Sequence, residues 1–307
     1  MWWFFLDKIR SKIKLIRGRK MKIKSKLIGA LLLGSFLFLD CSKATNNQDA
    51  ILLSLINPNP ENPSSTSNTS SFVPVNVRLF DKVTEAPGSG SGPFSDPQKA
   101  INGVFGFGKT CGSTDVYSLK SSATATYCKP NEKCIVLEVE NKKIKNGSGI
   151  DFVVFENPFC RGGIANCGIS HFMEPVIVEV SIDGINWCGF NPQYVGDNTN
   201  ASLNNPNNWQ RFAGREPVVF YQSNWTYSEE DIFDPTLAGG DGFDLQDPNF
   251  GSSGDGCTPV IKDQILSDGF IYLRLTTAFS RGFRVTPGSF DQTSDIDGVI
   301  AKYVTDR

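Results

Sequence analysis

The chain has 307 residues, with 30 Lys+Arg against 32 Asp+Glu, a formal net charge of −2, eight cysteines and one histidine. That near balance hides a division: residues 1–41 carry 10 Lys+Arg and 2 Asp, and taking these from the totals leaves 20 basic and 30 acidic residues, a net −10 for the rest. An acidic remainder argues against nucleic acid as a partner, because binding phosphate needs clustered Lys and Arg, and a lone His171 excludes multi-histidine metal centres.

Residues 1–20, with Trp2, Trp3, Phe4 and Phe5 ahead of Lys8, Arg10, Lys12 and Lys14, read as an extension upstream of a start at Met21. The other reading is an amphipathic segment lying on the inner membrane face. Residues 21–40 read as a secretory leader: a basic start, then an apolar run from Leu27 to Leu39. That run, about 13 residues, suits a signal-peptide core and is short of the roughly 20 that span a bilayer as a helix.

Cys41 closes the leader. The string Leu37-Phe38-Leu39-Asp40-Cys41 resembles the loose lipobox of spirochaetal lipoproteins, with Asp40 standing where a small residue is usual. The expectation is acylation at Cys41 and a protein anchored through lipid to the outer membrane or cell surface; plain secretion is the alternative. From there to residue 72 the chain is rich in Asn, Ser, Thr and Pro, too polar to order itself, and reads as a tether that reaches about 30 Å.

Residues 73–307 read as one all-β domain, an antiparallel β-sandwich. Ile135, Leu137 and Val139 alternate with Val136, Glu138 and Glu140, the pattern of a strand with one face in a core. Asp151 to Glu156 is apolar on both faces between acidic ends, which predicts a central strand. Val176, Val178, Val180 and Ile182 share one face, and Asp183-Gly184 then predicts a two-residue hairpin turn back through Trp187. Pro217 to Tyr221, Phe270 to Thr276 and Val299 to Tyr303 complete the strand set, and no window of about 12 residues shows a helical stripe. Long Gly-, Asn- and Asp-rich loops, Phe190 to Gln210 and Ser223 to Gly256, are expected at the ends of the sandwich, where such folds carry their sites.

Outside the cytoplasm the cysteines can oxidise. Cys128 with Cys134 and Cys160 with Cys167 are the best local pairs; the alternative leaves several as buried thiols.

His171 has no Gly-x-Ser-x-Gly partner motif and reads as an ordinary strand-edge residue. Asp241 and Asp244, in Gly239 to Leu245, and Asp295 and Asp297, before the last strand, offer oxygens on bendable Gly-rich backbone. Two readings stand: ligands of Ca²⁺, which takes roughly six to eight oxygens, or caps of their own turns. Asp151, Glu156 and Asn157 flank the central strand and Glu174 opens the next; Glu156 with Glu174 is the one pair that a glycoside hydrolase could use, a lesser reading for a chain expected not to be an enzyme. Trp209, Trp225 and Tyr227 lie in the long loops and are candidates to stack on a sugar or a protein ligand.

Several strings together resemble a family of bacterial surface proteins best represented among leptospiral lipoproteins: DPQKAINGVFGFG (96–108), DVYSL (115–119), DFVVFENPF (151–159), EPVIVEVSIDGINW (174–187), Phe212-Ala213-Gly214 and GGDGFDL (239–245). The resemblance covers nearly all of residues 76–303. It implies a galactose-binding-like, or discoidin-like, jelly roll used to recognise carbohydrate, lipid head groups or protein, here an extracellular glycan or a host protein. It also implies a structural calcium near the last strand, at Asp295 and Asp297. A structural envelope protein without a ligand is the alternative. The extra cysteines and the Asn-rich stretch Asn191 to Asn208 depart from the family.

Overall fold

The computed structural model describes residues 77–224, 226–285 and 293–307. The leader, Cys41, the tether and Trp225 lie outside them. In chain order the strands begin with β1 (Arg78–Leu79), β2 (Lys82–Glu85), β3 (Tyr117–Ser118), β4 (Cys134–Glu138), β5 (Lys142–Ile144), β6 (Phe152–Glu156) and β7 (Val176–Ser181). They continue with β8 (Cys188–Gly189), β9 (Gln193–Tyr194), β10 (Trp209–Gln210), β11 (Asp241–Phe243), β12 (Tyr272–Thr277), β13 (Asp295–Ala301) and β14 (Val304–Asp306). Among the described residues three short α-helices intervene, α1 (Asn200–Leu203), α2 (Pro235–Ala238) and α3 (Pro259–Asp268), besides several 3-10 turns.

Every pairing within the named strands is antiparallel, so the domain is all-β in its main architecture. One sheet runs β1-β13-β6-β11, with β3 also on β13; the second runs β2-β4-β12-β7-β8. Their inner faces share one core: Phe152, Val154, Phe243, Ile296 and Val299 from the first meet Ile135, Leu137, Val176, Val178, Val180, Leu273 and Leu275 from the second. Phe152 is its aromatic centre, stacked on Phe243 (centroids 5.4 Å) and edge-on to Phe270 (5.5 Å). Such pairs add about 0.5–1.5 kcal/mol each beyond the area they bury.

β6 is central, as its two apolar faces predict. Val153 and Phe155 face a second cluster with Val104, Val218, Phe220, Ile232 and Phe233, which covers the outer side of the sheet. The alternation in β4 is real, but its second face is not solvated: Cys134 and Val136 pack with Cys128 and Trp187. Cys128–Cys134 and Cys160–Cys167 are disulfides, as their spacing suggests, and a third joins Cys188 to Cys257.

Four expectations are corrected. The return from β7 is not a two-residue hairpin, because β8 pairs only at Cys188 and Gly189. Asp183 Oδ1 instead accepts from the amides of Ile185 and Asn186 (both 2.8 Å), and only Gly184 of the pair has positive φ (73°). Pro217 to Tyr221 is not a strand of either sheet: it makes one isolated bridge, Tyr221 with Phe105, with Gly106 donating to Phe220 O (2.9 Å) and Val219 donating to Ala238 O (2.9 Å). The final strand starts four residues earlier than predicted, at Asp295. A ten-residue helix, α3, exists where no helix is predicted; Thr258 caps it through Oγ1 to the Ile261 amide, Pro259 starts it and Gly269 ends it at φ 82°. Its apolar stripe is short, with Ile265 its one fully buried side chain, so periodicity misses what the caps announce.

Candidate functional site

Antiparallel register at one end of β6 gathers carboxylates. Asp241 of β11 lies opposite Val154, and Ile296 of β13 lies opposite Glu156. Glu156 shares Val154's face, two residues on, so it is directed to the same side as Asp241. Asp295 adjoins it: its amide donates to Glu156 Oε1 at 2.9 Å, and Ser118 Oγ donates to its Oδ1.

Glu156 is buried (1% exposed), and its Oε2 has no hydrogen-bond partner among the described residues. Burial pushes its pKa well above the usual carboxylate range, and the charges of Asp295 and Asp241 add to the push. A buried acceptor without a partner costs about 1–3 kcal/mol, so this oxygen calls for a proton or a cation. The space beside it is kept open by Gly214 at φ +84°: a Cβ there would come 2.8 Å from Oε2 and 3.2 Å from the Glu174 carbonyl oxygen. That carbonyl also accepts from Ser294 Oγ (2.7 Å).

Asp241 links this cluster to a pocket. Its Oδ2 accepts from the amides of Arg215 (2.8 Å) and Glu216 (3.3 Å), and burial raises its pKa to about 7. The pocket, ≈ 210 Å³, is lined by Asp241, Asp244, Asp247, Arg211 and Arg215 among Phe190, Phe212, Gly242 and Phe243. Both arginines are anchored by backbone: Arg211 Nε donates to Asn191 O (2.8 Å) and Arg215 Nε to Pro206 O (3.2 Å). Donors and acceptors therefore face one small space beside buried aromatic rings, the composition of a site for a polar ligand.

Of the predicted metal ligands, Asp241 and Asp244 share the pocket and Asp295 adjoins Glu156. Asp297 is elsewhere. The register slips by one residue between Ile296 and Gly298, and this bulge gives Asp297 to the Phe105 amide, which donates to both its oxygens (3.1 Å each). Burial, then the neighbouring Asp115, raises its pKa to about 8.

Asp151 is an anchor for the pocket loop: its oxygens accept from Gly147 (2.7 Å) and Leu245 (2.8 Å), and burial raises its pKa to about 6. Asn157 pairs with the backbone of Ser113, accepting from its amide and donating to its carbonyl (2.9 Å). Trp209 is fully buried, donating through Nε1 to Leu203 O (2.9 Å) and packing on Phe212. Its ring offers no face to solvent and forms the core of the Asn-rich loop. Tyr227 is exposed (57%). Sequence marks Gly214 only as part of the Phe212-Ala213-Gly214 string and does not mark Arg211, Arg215 or Asp247; Asp247 continues the Asp241–Asp244 run, while nothing local points to the arginines.

The donors beside Gly214 suit a hard cation, since Glu156 Oε2 and the Glu174 carbonyl are oxygens and Asp241 and Asp295 supply the charge. Gly214→Ala should lower stability by about 1–2 kcal/mol, from the strained left-handed backbone, and should abolish any response to Ca²⁺. Urea unfolding with calcium and with chelator checks both.

Comparison with models of protein families, with curated proteins and with solved structures finds no match for the chain.

Proposed function

We propose that the chain is a lipoprotein, anchored through Cys41 at the outer membrane or cell surface, whose β-sandwich binds an extracellular ligand in the Asp241 pocket and is stabilised by Ca²⁺. The fold is of the galactose-binding-like, jelly-roll type. The supporting observation is the junction at Asp241: a polar pocket of ≈ 210 Å³ backs onto a buried carboxylate with an open oxygen. A glycan suits it better than a flat protein epitope, because aspartates accept from sugar hydroxyls, arginines donate to them, and the pocket is small and concave. Calcium held by Glu156 and the Glu174 carbonyl, with Asp241 and Asp295 as nearby negative charges and water completing its shell, would neutralise the carboxylates and stiffen the pocket wall.

An array of glycans and matrix proteins probed with the purified chain tests the reading. Glycan binding is expected, weakened by about ten- to a hundredfold when Arg215→Ala removes a charged hydrogen bond worth about 1.5–3 kcal/mol. An array on which nothing binds above background would replace this reading with that of a structural envelope protein.

A further inference from the structure

The excursion Phe159 to Phe172 carries a second cluster, which meets the pocket through the backbone of Arg215. Its ends are tied: Phe172 donates to Phe159 O (2.9 Å), Arg161 to Ser170 O (2.8 Å), and Cys160 bridges His171. Within it the Sγ atoms of Cys160 and Cys167 and a ring nitrogen of His171 all lie within 4.8 Å of one another. Cys160 and His171 are buried and Cys167 is half-buried.

The histidine is arranged as a metal ligand is. Its Nδ1 lies 2.7 Å from the Arg215 carbonyl, and the Gly168 amide donates to its Nε2 at 3.2 Å. A carbonyl only accepts and an amide only donates, so the proton sits on Nδ1 and Nε2 carries the lone pair. A ring N–H held on a backbone carbonyl is the outer-shell contact that fixes the tautomer and orientation of ligating histidines. The two glycines Gly162 and Gly163, at φ +77° and +88°, give the intervening loop the turn that brings Cys167 back over Cys160.

We propose that the Cys160–Cys167 disulfide and His171 form a redox-gated site for Zn²⁺. Oxidised, the sulfurs bond each other and the site holds no metal. A dithiol reductant supplies two electrons and two protons: the Sγ–Sγ bond breaks, both cysteines become thiols, and the reductant closes its own disulfide. Zn²⁺ then displaces two protons and is held by two thiolates and His171 Nε2, which gives up its contact with the Gly168 amide. Two Cys and one His are three of the four positions of a tetrahedral zinc, and the fourth stays open to water or a further ligand. Thiolate donors select zinc over calcium or magnesium.

The test titrates the chain, before and after reduction with excess dithiothreitol and its removal under argon, with Zn²⁺ and with Co²⁺ as a spectroscopic stand-in. The reduced chain should take up one equivalent and show a thiolate-to-cobalt charge-transfer band that Zn²⁺ erases; the oxidised chain should show neither. His171→Asn should weaken uptake on the order of tenfold or more, and Cys160→Ser/Cys167→Ser, with every other cysteine kept, should abolish it. A reduced chain that loses its β-sheet circular dichroism and regains it with zinc also supports the site. Absence of uptake by the reduced chain, unfolding that zinc does not reverse, or equal uptake by the double variant overturns it.

Discussion

In chelator, the melting temperature should be highest near about pH 5 and fall on the order of 10 °C by about pH 8, and millimolar Ca²⁺ should restore most of the loss. Burial raises the pKa values of Asp151, Asp241 and Asp297 to about 6, 7 and 8, and that of Glu156 well above its ordinary value. For each, the folded chain holds a proton that the unfolded chain has already released. Their contribution is full below the unfolded values near pH 4 and is lost as pH rises through the folded ones. Asp183 and Asp255 run the other way: hydrogen bonds from Asn186, Ile185 and Lys129 outweigh burial and lower their pKa values, so their contribution is lost in acid. The optimum falls between. A loss of a few kcal/mol on the alkaline side, at roughly 2–4 °C per kcal/mol for a domain this size, sets the scale. Calcium at about 100-fold over its Kd contributes about 2.7 kcal/mol, and it does so where those carboxylates are ionised. Thermal scans over pH, with calcium or chelator, measure both; a flat alkaline limb would contradict the burial argument.

Arg274→Ala should cost about 3–5 kcal/mol, the range for removing one partner of a buried ion pair. Arg274 lies on β12 directly opposite Glu179 of β7, and both are 2% exposed. Its Nε donates to Glu179 Oε2 (2.8 Å), Nη1 to Tyr127 O (2.9 Å) and Nη2 to Asp255 Oδ2 (2.9 Å), while its guanidinium lies 4.3 Å from the centroid of the Trp187 ring. Alanine would leave Glu179 buried with only the contact from Arg281 Nη2 (3.1 Å). Arg274→Lys should recover little, because an ammonium cannot reach three acceptors in a planar fork or stack on the indole. Replacing both charges, with Arg274→Met and Glu179→Leu, should cost less than Arg274→Ala alone, because no unpaired charge is then left in the sheet. Urea unfolding ranks the variants. A double replacement worse than Arg274→Ala would show that the pair stabilises through more than mutual neutralisation.

The parts of this fold legible in sequence are those set by local pattern. Phe152 to Glu156 is apolar on both faces because clusters cover both sides of its sheet, and Val176, Val178 and Val180 share the face that enters the core. The two short disulfides are legible because their cysteines stand six and seven positions apart; Cys188–Cys257, 69 positions apart, depends on where β8 and α3 come to rest. The site was half legible. Acidic residues at Gly-rich turns mark Asp241, Asp244 and Asp295, but a single bulge moves Asp297 to the Phe105 amide, and no periodicity announces a bulge. Arg211 and Arg215 enter the pocket through a stretch held by Asn191 and Pro206 carbonyls, contacts that exist only once the Asn-rich loop has folded around Trp209. Trp209 shows the limit of composition: an aromatic in a polar loop reads as a ligand platform, yet it is the loop's own core.

The measurement closest to the central claim is calorimetric titration of Ca²⁺ into the wild-type chain and into Glu156→Gln at about pH 8. Glutamine keeps the shape of the side chain but removes the charge that the unpartnered Oε2 would give to a cation. One calcium per wild-type chain, with affinity lost in Glu156→Gln while both retain their fold, is the predicted result. No calcium heat in the wild type, or equal affinity in the two, would contradict it.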